Sequence, residues 1–149
     1  LGHPKMTCRC NPNSISRYRG RISGPFLDRI DLRIEVPPPS LEELLGRSRG
    51  AISPTEEELR ERLDRASVTR AARGQELPNA GLSPEELNEW ASLDTKGVSV
   101  LERAAARGAW TARGLQAIRR VARTVADLDA CSQIRSEHVA QAISLRPAV

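Results

Sequence analysis

The sequence predicts a mainly α-helical protein, a small helical bundle preceded by a stretch with at most one β-strand. Aromatic residues make up only 3% of the 149 residues, so the core has to be built from Leu, Ile, Val and Ala. That composition favours packed helices over a β-sandwich. Helix start signals recur from residue 40 onward, and apolar residues in the last third of the chain keep the spacing of an amphipathic helix.

The first forty residues contain one candidate strand. A short basic helix is predicted from Ser14 to Arg21, and Ser23-Gly24-Pro25 stops it. Residues 31–36 alternate polar and apolar side chains with the strand period, and three prolines follow. Because a lone strand rarely stays ordered, we expect disorder or non-native packing before about residue 50.

Helical signals resume at Ser40, the predicted N-cap of a short helix over residues 41–45. A loop at 46–52 separates it from a long helix that Ser53-Pro54 is expected to open and that ends near Gly74. This helix carries Glu and Arg four residues apart, a spacing that stabilises an exposed helix. The predicted pairs are Glu56 with Arg60, Glu58 with Arg62, and Glu61 with Arg65.

Four more helices complete a predicted bundle of about five over residues 53–149. Their start signals are Ser83, Asp94, Thr111 and Ser136. The first three end near residues 93, 107 and 128. Trp90 and Trp110 are expected to anchor the core. Cys131 is interpreted as a small packing residue, and His138 as a surface or partly buried side chain.

Charge and cysteine content exclude several classes of protein. The formal net charge is +4, and 21 of the 23 basic residues are Arg. Arg makes bidentate phosphate contacts that Lys does not reproduce, although a GC-rich genome gives the same bias without functional meaning. No run of about 18 apolar residues predicts a membrane span, and neither a signal peptide nor a disulfide framework is apparent. We expect a reducing compartment, and the start at Leu1 is typical of a piece of a longer protein.

Two arginines lie where phosphate contact is plausible chemistry. Arg29 sits between a tight turn and the predicted strand, from which it could reach a phosphate on a neighbouring chain. The alternative is a local ion pair with Asp28 or Asp31. Arg113 lies in the first turn of a helix, where a cation opposes the helix dipole but completes an anion site. Its alternative is an ordinary solvated side chain.

Weaker candidates are a basic surface and a cysteine pair. The basic surface suits DNA backbone contact, with a solvated or subunit-facing helix face as the alternative. Its members are Arg17, Arg19 and Arg21 at one end and Arg119, Arg120 and Arg123 at the other. Cys8 and Cys10 form at most half of a zinc site, because a structural site needs four ligands. Zinc is therefore not expected in this chain, even with His3 nearby.

Two segments resemble the magnesium-chelatase-like AAA+ ATPases of the ComM/YifB family. They are SGPFLDRIDLRIEVP at 23–37 and TARGLQAIRRVARTVADL at 111–128, in the family's order and separation. The resemblance implies that Arg29 is the arginine finger, acting in trans on the γ-phosphate of ATP held by the adjacent subunit. It implies for Arg113 the sensor-2 role, contact with ATP from the helical lid. Gly114-Leu115 departs from the family's usual Ala-Tyr.

The resemblance also implies a domain organisation. Residues 1–37 would be the end of the AAA+ core, here a partly disordered remnant of it. Residues 38–52 would be a connector. Residues 53–149 would be the helical lid, of the magnesium-chelatase C-terminal type.

By the same resemblance, the full-length protein is an ATP-driven hexameric ring of its own subunits in the bacterial cytoplasm. It would act on DNA in recombination, competence or branch migration. ATP and Mg²⁺ belong to that protein; this chain lacks a G-x-x-x-x-G-K-[ST] loop and is not expected to be an ATPase alone. Two alternatives remain: the lid of a magnesium-chelatase subunit that drives metal insertion, and a helical interaction module with no nucleotide role.

Overall fold

The computed structural model describes residues 8–47, 54–108 and 110–146 and is mainly helical, as the sequence predicts. The helices are α1 (Pro12–Arg19), α2 (Gly24–Leu27), α3 (Leu41–Leu44), α4 (Glu56–Ala72), α5 (Pro84–Trp90), α6 (Thr95–Arg107), α7 (Ala112–Leu128) and α8 (Ser136–Ser144). A 3₁₀ turn at Asn79–Gly81 lies between α4 and α5. The described helices are each too short or too polar to cross a membrane.

Local capping sets most helix starts, and the sequence signals these well. The predicted N-caps of α3, α5 and α7 are confirmed: Ser40, Ser83 and Thr111. Asp94, near which a helix is predicted to start, is the N-cap of α6. At α5, for example, the Ser83 hydroxyl accepts from the Glu86 N–H at 3.2 Å, and the Ser83 N–H donates to the Glu86 carboxylate at 2.7 Å. Each cap satisfies amide groups that a helix start leaves without partners.

Helix α4 starts later than predicted. Its N-cap is Thr55, whereas Ser53 lies outside the described residues. The Thr55 N–H donates to the Glu58 carboxylate at 2.7 Å, and the Thr55 hydroxyl accepts from the Glu58 N–H at 3.2 Å. The hydrogen bonds from the Thr55 backbone and side chain lower the pKa of Glu58.

The charge pairs predicted along α4 form only in part. Arg60 lies 2.7 Å from Glu56, as expected. The other two pairs are wrong: Glu58 is held by the cap, and Arg62 lies 3.8 Å from Asp129 instead of Glu58. Exposed Glu and Arg side chains on a helix have several partners within reach, so four-residue spacing alone does not fix the choice.

Helix α7 is the central element of the bundle. It packs against α4, α5, α8 and the 3₁₀ turn, while α6 packs against α8. The buried core combines leucines, branched residues and alanines: Leu82, Leu87, Ala91, Ile118, Ala122, Ala126, Ile134, Val139 and Ala142. Trp90 and Trp110 pack against it from the edge and stay half-buried, which confirms their predicted anchoring role.

The strand predicted over residues 31–36 does not form. This segment is irregular, and its apolar side chains, Leu32, Ile34 and Val36, are exposed. A strand needs a neighbour for its backbone groups. The described residues offer no sheet, only an isolated bridge between Leu93 and Ile134. The Arg33 N–H instead donates to the Leu145 carbonyl at 2.8 Å. Residues 28–33 thus depart from the expected disorder, because they are hydrogen-bonded to the bundle.

His138 is buried, not on the surface or partly buried as predicted. Its exposed fraction is 2%. Its Nδ1 accepts from the Arg135 N–H at 3.0 Å, and its Nε2 lies 3.5 Å from Asp129 Oδ2. The imidazole therefore reaches back to the start of α8, as a glutamate does in a capping box. Cys131 packs against the core, which confirms its interpretation as a packing residue.

A buried carboxylate, Asp127 on α7, joins several parts of the bundle. Arg73, just after α4, donates Nη1 to Oδ1 at 2.6 Å and Nη2 to Oδ2 at 2.7 Å. Arg123, one turn earlier on α7, donates Nε to Oδ1 at 3.0 Å. Asn79 in the 3₁₀ turn donates Nδ2 to Oδ2 at 2.8 Å. Asp127 and Arg123 are 2% and 1% exposed, so the pair is sealed from water.

Replacing Asp127 with Ala is expected to lower the free energy of unfolding by roughly 3–5 kcal/mol, because Arg123 stays buried without its counter-charge. Asp64→Ala, on the exposed face of α4, is the matched control and is expected to change it by less than about 0.5 kcal/mol. Urea unfolding followed by circular dichroism measures both. Equal midpoints for the two variants would contradict the role given to Asp127.

Candidate functional site

Arg29 lies on an exposed turn directly after α2. Ser23 caps α2 by accepting from the Phe26 N–H at 3.3 Å, and the Arg29 N–H donates to the Phe26 carbonyl at 3.0 Å. The Arg29 side chain is exposed and has no hydrogen-bond or ion-pair partner among the described residues. The local ion pair considered as an alternative is absent there, because Asp28 faces a different arginine. The guanidinium is left free to meet an outside group.

Arg113 lies in the first turn of α7 and is also exposed. The Thr111 hydroxyl caps this helix by accepting from the Gly114 N–H at 3.0 Å. In the described part of the chain, no acidic group pairs with Arg113. A cation at the positive end of a helix dipole is unfavourable by itself, so it is suited to binding an anion there.

The two arginines belong to segments that are hydrogen-bonded together. The Thr111 hydroxyl lies 2.9 Å from both carboxylate oxygens of Asp28, the residue before Arg29. This one hydroxyl therefore donates to Asp28 while it accepts from the Gly114 N–H at the start of α7. Residues 83 positions apart in the sequence are joined through it.

We call the contact between residues 28–33 and the start of α7 the junction. A buried arginine, Arg146, which follows the C-cap of α8, also takes part in it. It is 1% exposed. Its Nη2 donates to the Asp28 carbonyl at 2.6 Å and to Asp28 Oδ1 at 3.1 Å, and its Nη1 donates to the Ile30 carbonyl. Asp31 Oδ1 lies 3.6 Å from Nη1. Two carboxylates thus compensate the buried charge.

The arginines in the second half of the predicted basic surface are hydrogen-bonded to other parts of the protein, and one of them, Arg123, is buried. Arg119 donates to the Leu87 and Ala91 carbonyls at the end of α5, and burial lowers its pKa. Arg120 donates Nη2 to the Leu82 carbonyl at 2.7 Å. Arg123 is the buried partner of Asp127, and burial is the main cause that lowers its pKa. They tie α7 to its neighbours. The prediction that Arg123 contacts DNA is wrong, because its side chain is buried; DNA contact by the half-buried Arg119 and Arg120 stays a prediction.

The first half of the basic surface is exposed. Arg17 and Arg19 end α1, and Arg21 follows it. The Arg21 guanidinium lies 5.9 Å from the centroid of the exposed Tyr18 ring. This arrangement keeps three positive charges and one aromatic face available to an outside partner.

The cysteine pair, Cys8 and Cys10, is exposed. A hydrogen bond to the Cys10 backbone lowers the pKa of the Cys8 thiol, and the hydrogen bond with Cys8 raises that of Cys10. His3 lies outside the described residues. Among the residues that are described, no three His, Cys, Asp or Glu side chains come together as a metal site.

Sequence reasoning missed the residues that build the junction and the buried network. Arg146 meets Asp28 across 118 positions, and Arg73 meets Asp127 across 54, so neither contact has a local signal. The contact between Arg123 and Asp127 did have a local signal in the sequence. They are four residues apart on a predicted helix, the spacing at which opposite charges meet.

Comparison with known proteins covers almost the whole chain. Residues 53–146 match the family described as "Magnesium chelatase, subunit ChlI C-terminal", and residues 1–44 match "Magnesium chelatase, subunit ChlI". Competence protein ComM of Haemophilus influenzae is 35% identical over 141 residues, 95% of this chain and 27% of the relative. The uncharacterized protein YifB of Escherichia coli is 33% identical over 143 residues, 93% of this chain and 27% of its own length. The chain thus spans about a quarter of these curated relatives.

Gly114→Ala is expected to stabilise the chain by up to about 1 kcal/mol, since alanine favours a helix over glycine. A Cβ at Gly114 would lie 3.5 Å from Asp28 Oδ1, an ordinary contact. Gly97, at the same position of α6, is the matched control: its Cβ would lie 3.0 Å from the capping oxygen of Asp94. In thermal unfolding, the melting temperature should rise for Gly114→Ala and not for Gly97→Ala. A lower melting temperature for Gly114→Ala would mean that the contact between Asp28 and the start of α7 has no room for a methyl group.

Proposed function

The chain belongs to the magnesium chelatase subunit ChlI family, and from this we propose that it is the arginine-finger and lid region of an ATP-driven AAA+ motor related to ComM and YifB. One observation carries the proposal. Arg29 and Arg113 are exposed and unpaired in the described residues, whereas the arginines along the middle of α7 are bound inside the bundle. The Asp28–Thr111 contact holds the two free arginines on one junction.

The chemistry proposed for Arg29 follows from its charge and exposure. A guanidinium carries a permanent, delocalised charge that can stabilise the charge spread over a transferring γ-phosphoryl group. We assign this role in trans, toward ATP held by the adjacent subunit of a hexameric ring. Arg113, at a helix N-terminus, is assigned to the phosphates of ATP as sensor 2.

ATP and Mg²⁺ fit this chain only as part of a larger site. Two exposed arginines suit the phosphate oxygens of the nucleotide. The sequence has no phosphate-binding loop, and the described residues bring no acidic cluster together for a divalent cation. The cradle for ATP and the ligands of Mg²⁺ are therefore assigned to parts of the full-length protein beyond this chain. Bound ATP supplies the phosphoryl group; the part of Arg29 and Arg113 is to orient and neutralise it.

The proposed roles of Arg29 and Arg113 place the two residues in different domains of the full-length protein. Residues 1–37, with Arg29, are assigned to the end of the ATPase core; residues 38–52 to the connector; and residues 53–149, with Arg113, to the lid. The full-length protein is assigned to the bacterial cytoplasm.

A DNA substrate is supported by the exposed arginines of α1. Arg17, Arg19 and Arg21 are suited to the phosphate backbone, and Tyr18 beside them offers a stacking face. The chelatase alternative assigns the same ATPase machinery to metal insertion. Stimulation of ATP hydrolysis by DNA in the full-length protein separates the two, because a chelatase motor has no reason to respond to DNA.

Arg29→Ala in the full-length protein is expected to lower kcat for ATP hydrolysis by roughly 10³-fold, the range of arginine fingers. Arg113→Ala is expected to lower kcat/KM by roughly 10- to 100-fold, since one charge-assisted contact is lost. Arg107→Ala, also exposed on a helix, is the control and should leave both constants unchanged. Normal ATP hydrolysis by the Arg29 and Arg113 variants would refute the proposed roles.

Replacing Arg17, Arg19 and Arg21 together with Ala is expected to weaken the salt dependence of DNA binding by this chain. The slope of log K against log salt should fall by about 3, close to one unit for each lost phosphate contact. The control replaces the exposed Arg60, Arg62 and Arg65 on α4, which removes the same charge. Fluorescence anisotropy with a mixed-sequence duplex measures both slopes. Equal slopes would mean that α1 is not the contact surface.

A further inference from the structure

We infer that Arg146 is a positioning residue for Arg29: it fixes the backbone on both sides of that arginine and ties it to the end of α8. The inference rests on the proposed function of Arg29. In the described structure the polar contacts of Arg146 go to Asp28, Ile30 and Asp31 and not to Arg29, so its effect on hydrolysis is indirect. It acts through the peptide groups from which the Arg29 side chain projects.

The hydrogen bonds of Arg146 bracket Arg29. One guanidinium nitrogen donates to the carbonyl of Asp28, before Arg29, and the other donates to the carbonyl of Ile30, after it. A planar guanidinium holds its donors in a fixed fork. Two carbonyls bound by one fork keep a set spacing and orientation, so the backbone between them is constrained.

The hydrogen bonds of Arg146 are protected from water, because its side chain is 1% exposed. Two carboxylates compensate its charge. Asp28 Oδ1 lies 3.1 Å and Asp31 Oδ1 3.6 Å from its guanidinium. Breaking these contacts would leave the buried Arg146 charge with neither a counter-charge nor water around it. The contact is therefore suited to hold through the movements of a working lid.

The hydrogen bonds of Arg146 also attach the backbone around Arg29 to the helical bundle. Arg146 directly follows the C-cap of α8, and Leu145 accepts from the Arg33 N–H at 2.8 Å. Thr111 at the start of α7 holds Asp28 from another side. Residues 28–33 are thus attached to both α7 and α8, and a displacement of these helices would carry Arg29 with it.

The test is made in the full-length protein with Arg146→Met, and with Arg135→Met as control. Arg135 lies at the other end of α8 and is exposed, and its side chain makes only a surface ion pair with Glu137 in the described structure. We expect Arg146→Met to lower kcat by roughly 10- to 100-fold with KM for ATP unchanged, the cost of misplacing a group by about 1 Å. Arg135→Met should leave both constants unchanged.

A double-variant cycle separates positioning from a general loss of structure. If Arg146 acts through Arg29, then Arg29→Ala with Arg146→Met should be no slower than Arg29→Ala alone. A further loss in the double variant, a raised KM, or an unchanged kcat in Arg146→Met would each overturn the inference.

Arg146→Lys covers the case in which Arg146→Met does not fold. Lysine keeps the charge but cannot bind two carbonyls in a fixed fork, so we expect a roughly tenfold loss of kcat that also vanishes in the Arg29→Ala background. A lysine variant with the original kcat would overturn the inference. Arg29→Ala with a normal kcat would refute the proposed function itself, and so the two failures are distinguishable.

Discussion

The bundle depends on keeping one carboxylate, Asp127, paired after it has been removed from water. Its core has little aromatic surface, and much of it is alanine, which buries little area per residue. The Arg73–Asp127–Arg123 network adds what such a core lacks, directional contacts that specify how α4, the 3₁₀ turn and α7 meet. Because Arg123 is buried, the loss of Asp127 leaves its charge uncompensated.

The same constraint explains where the arginines of α7 go. A helix end leaves carbonyls without intrahelical partners, and these are natural acceptors for a neighbouring guanidinium. Arg119 binds the carbonyls at the end of α5, and Arg123 binds the Cys131 and Ser132 carbonyls before α8. Their positive charge serves assembly of the bundle. That separates them from Arg113 on the first turn of the same helix, which has no such acceptor among the described residues.

Features with a local cause were predictable, and features made by distant contacts were not. The caps at Ser83, Asp94 and Thr111 and the amphipathic pattern of α7 are encoded within a few residues, so the helices could be placed from the sequence. The strand period at 31–36 was misleading, because a strand is completed by a partner. The likeness in two motifs identified Arg29 and Arg113 as candidates. The contacts that hold Asp28 come from far along the chain.

The junction shows how one short polar side chain can couple two motifs that are distant in sequence. The Thr111 hydroxyl has one hydrogen and two lone pairs. Its hydrogen goes to Asp28, and a lone pair takes the Gly114 N–H, so the cap of the Arg113 helix and the anchor of the Arg29 turn share one atom. A shift of that helix start therefore changes the hydrogen bond that holds the turn. Arg146, after α8, donates hydrogen bonds to the same turn. The positions of Arg29 and Arg113 are therefore set by the bundle and not by the local sequence around either one.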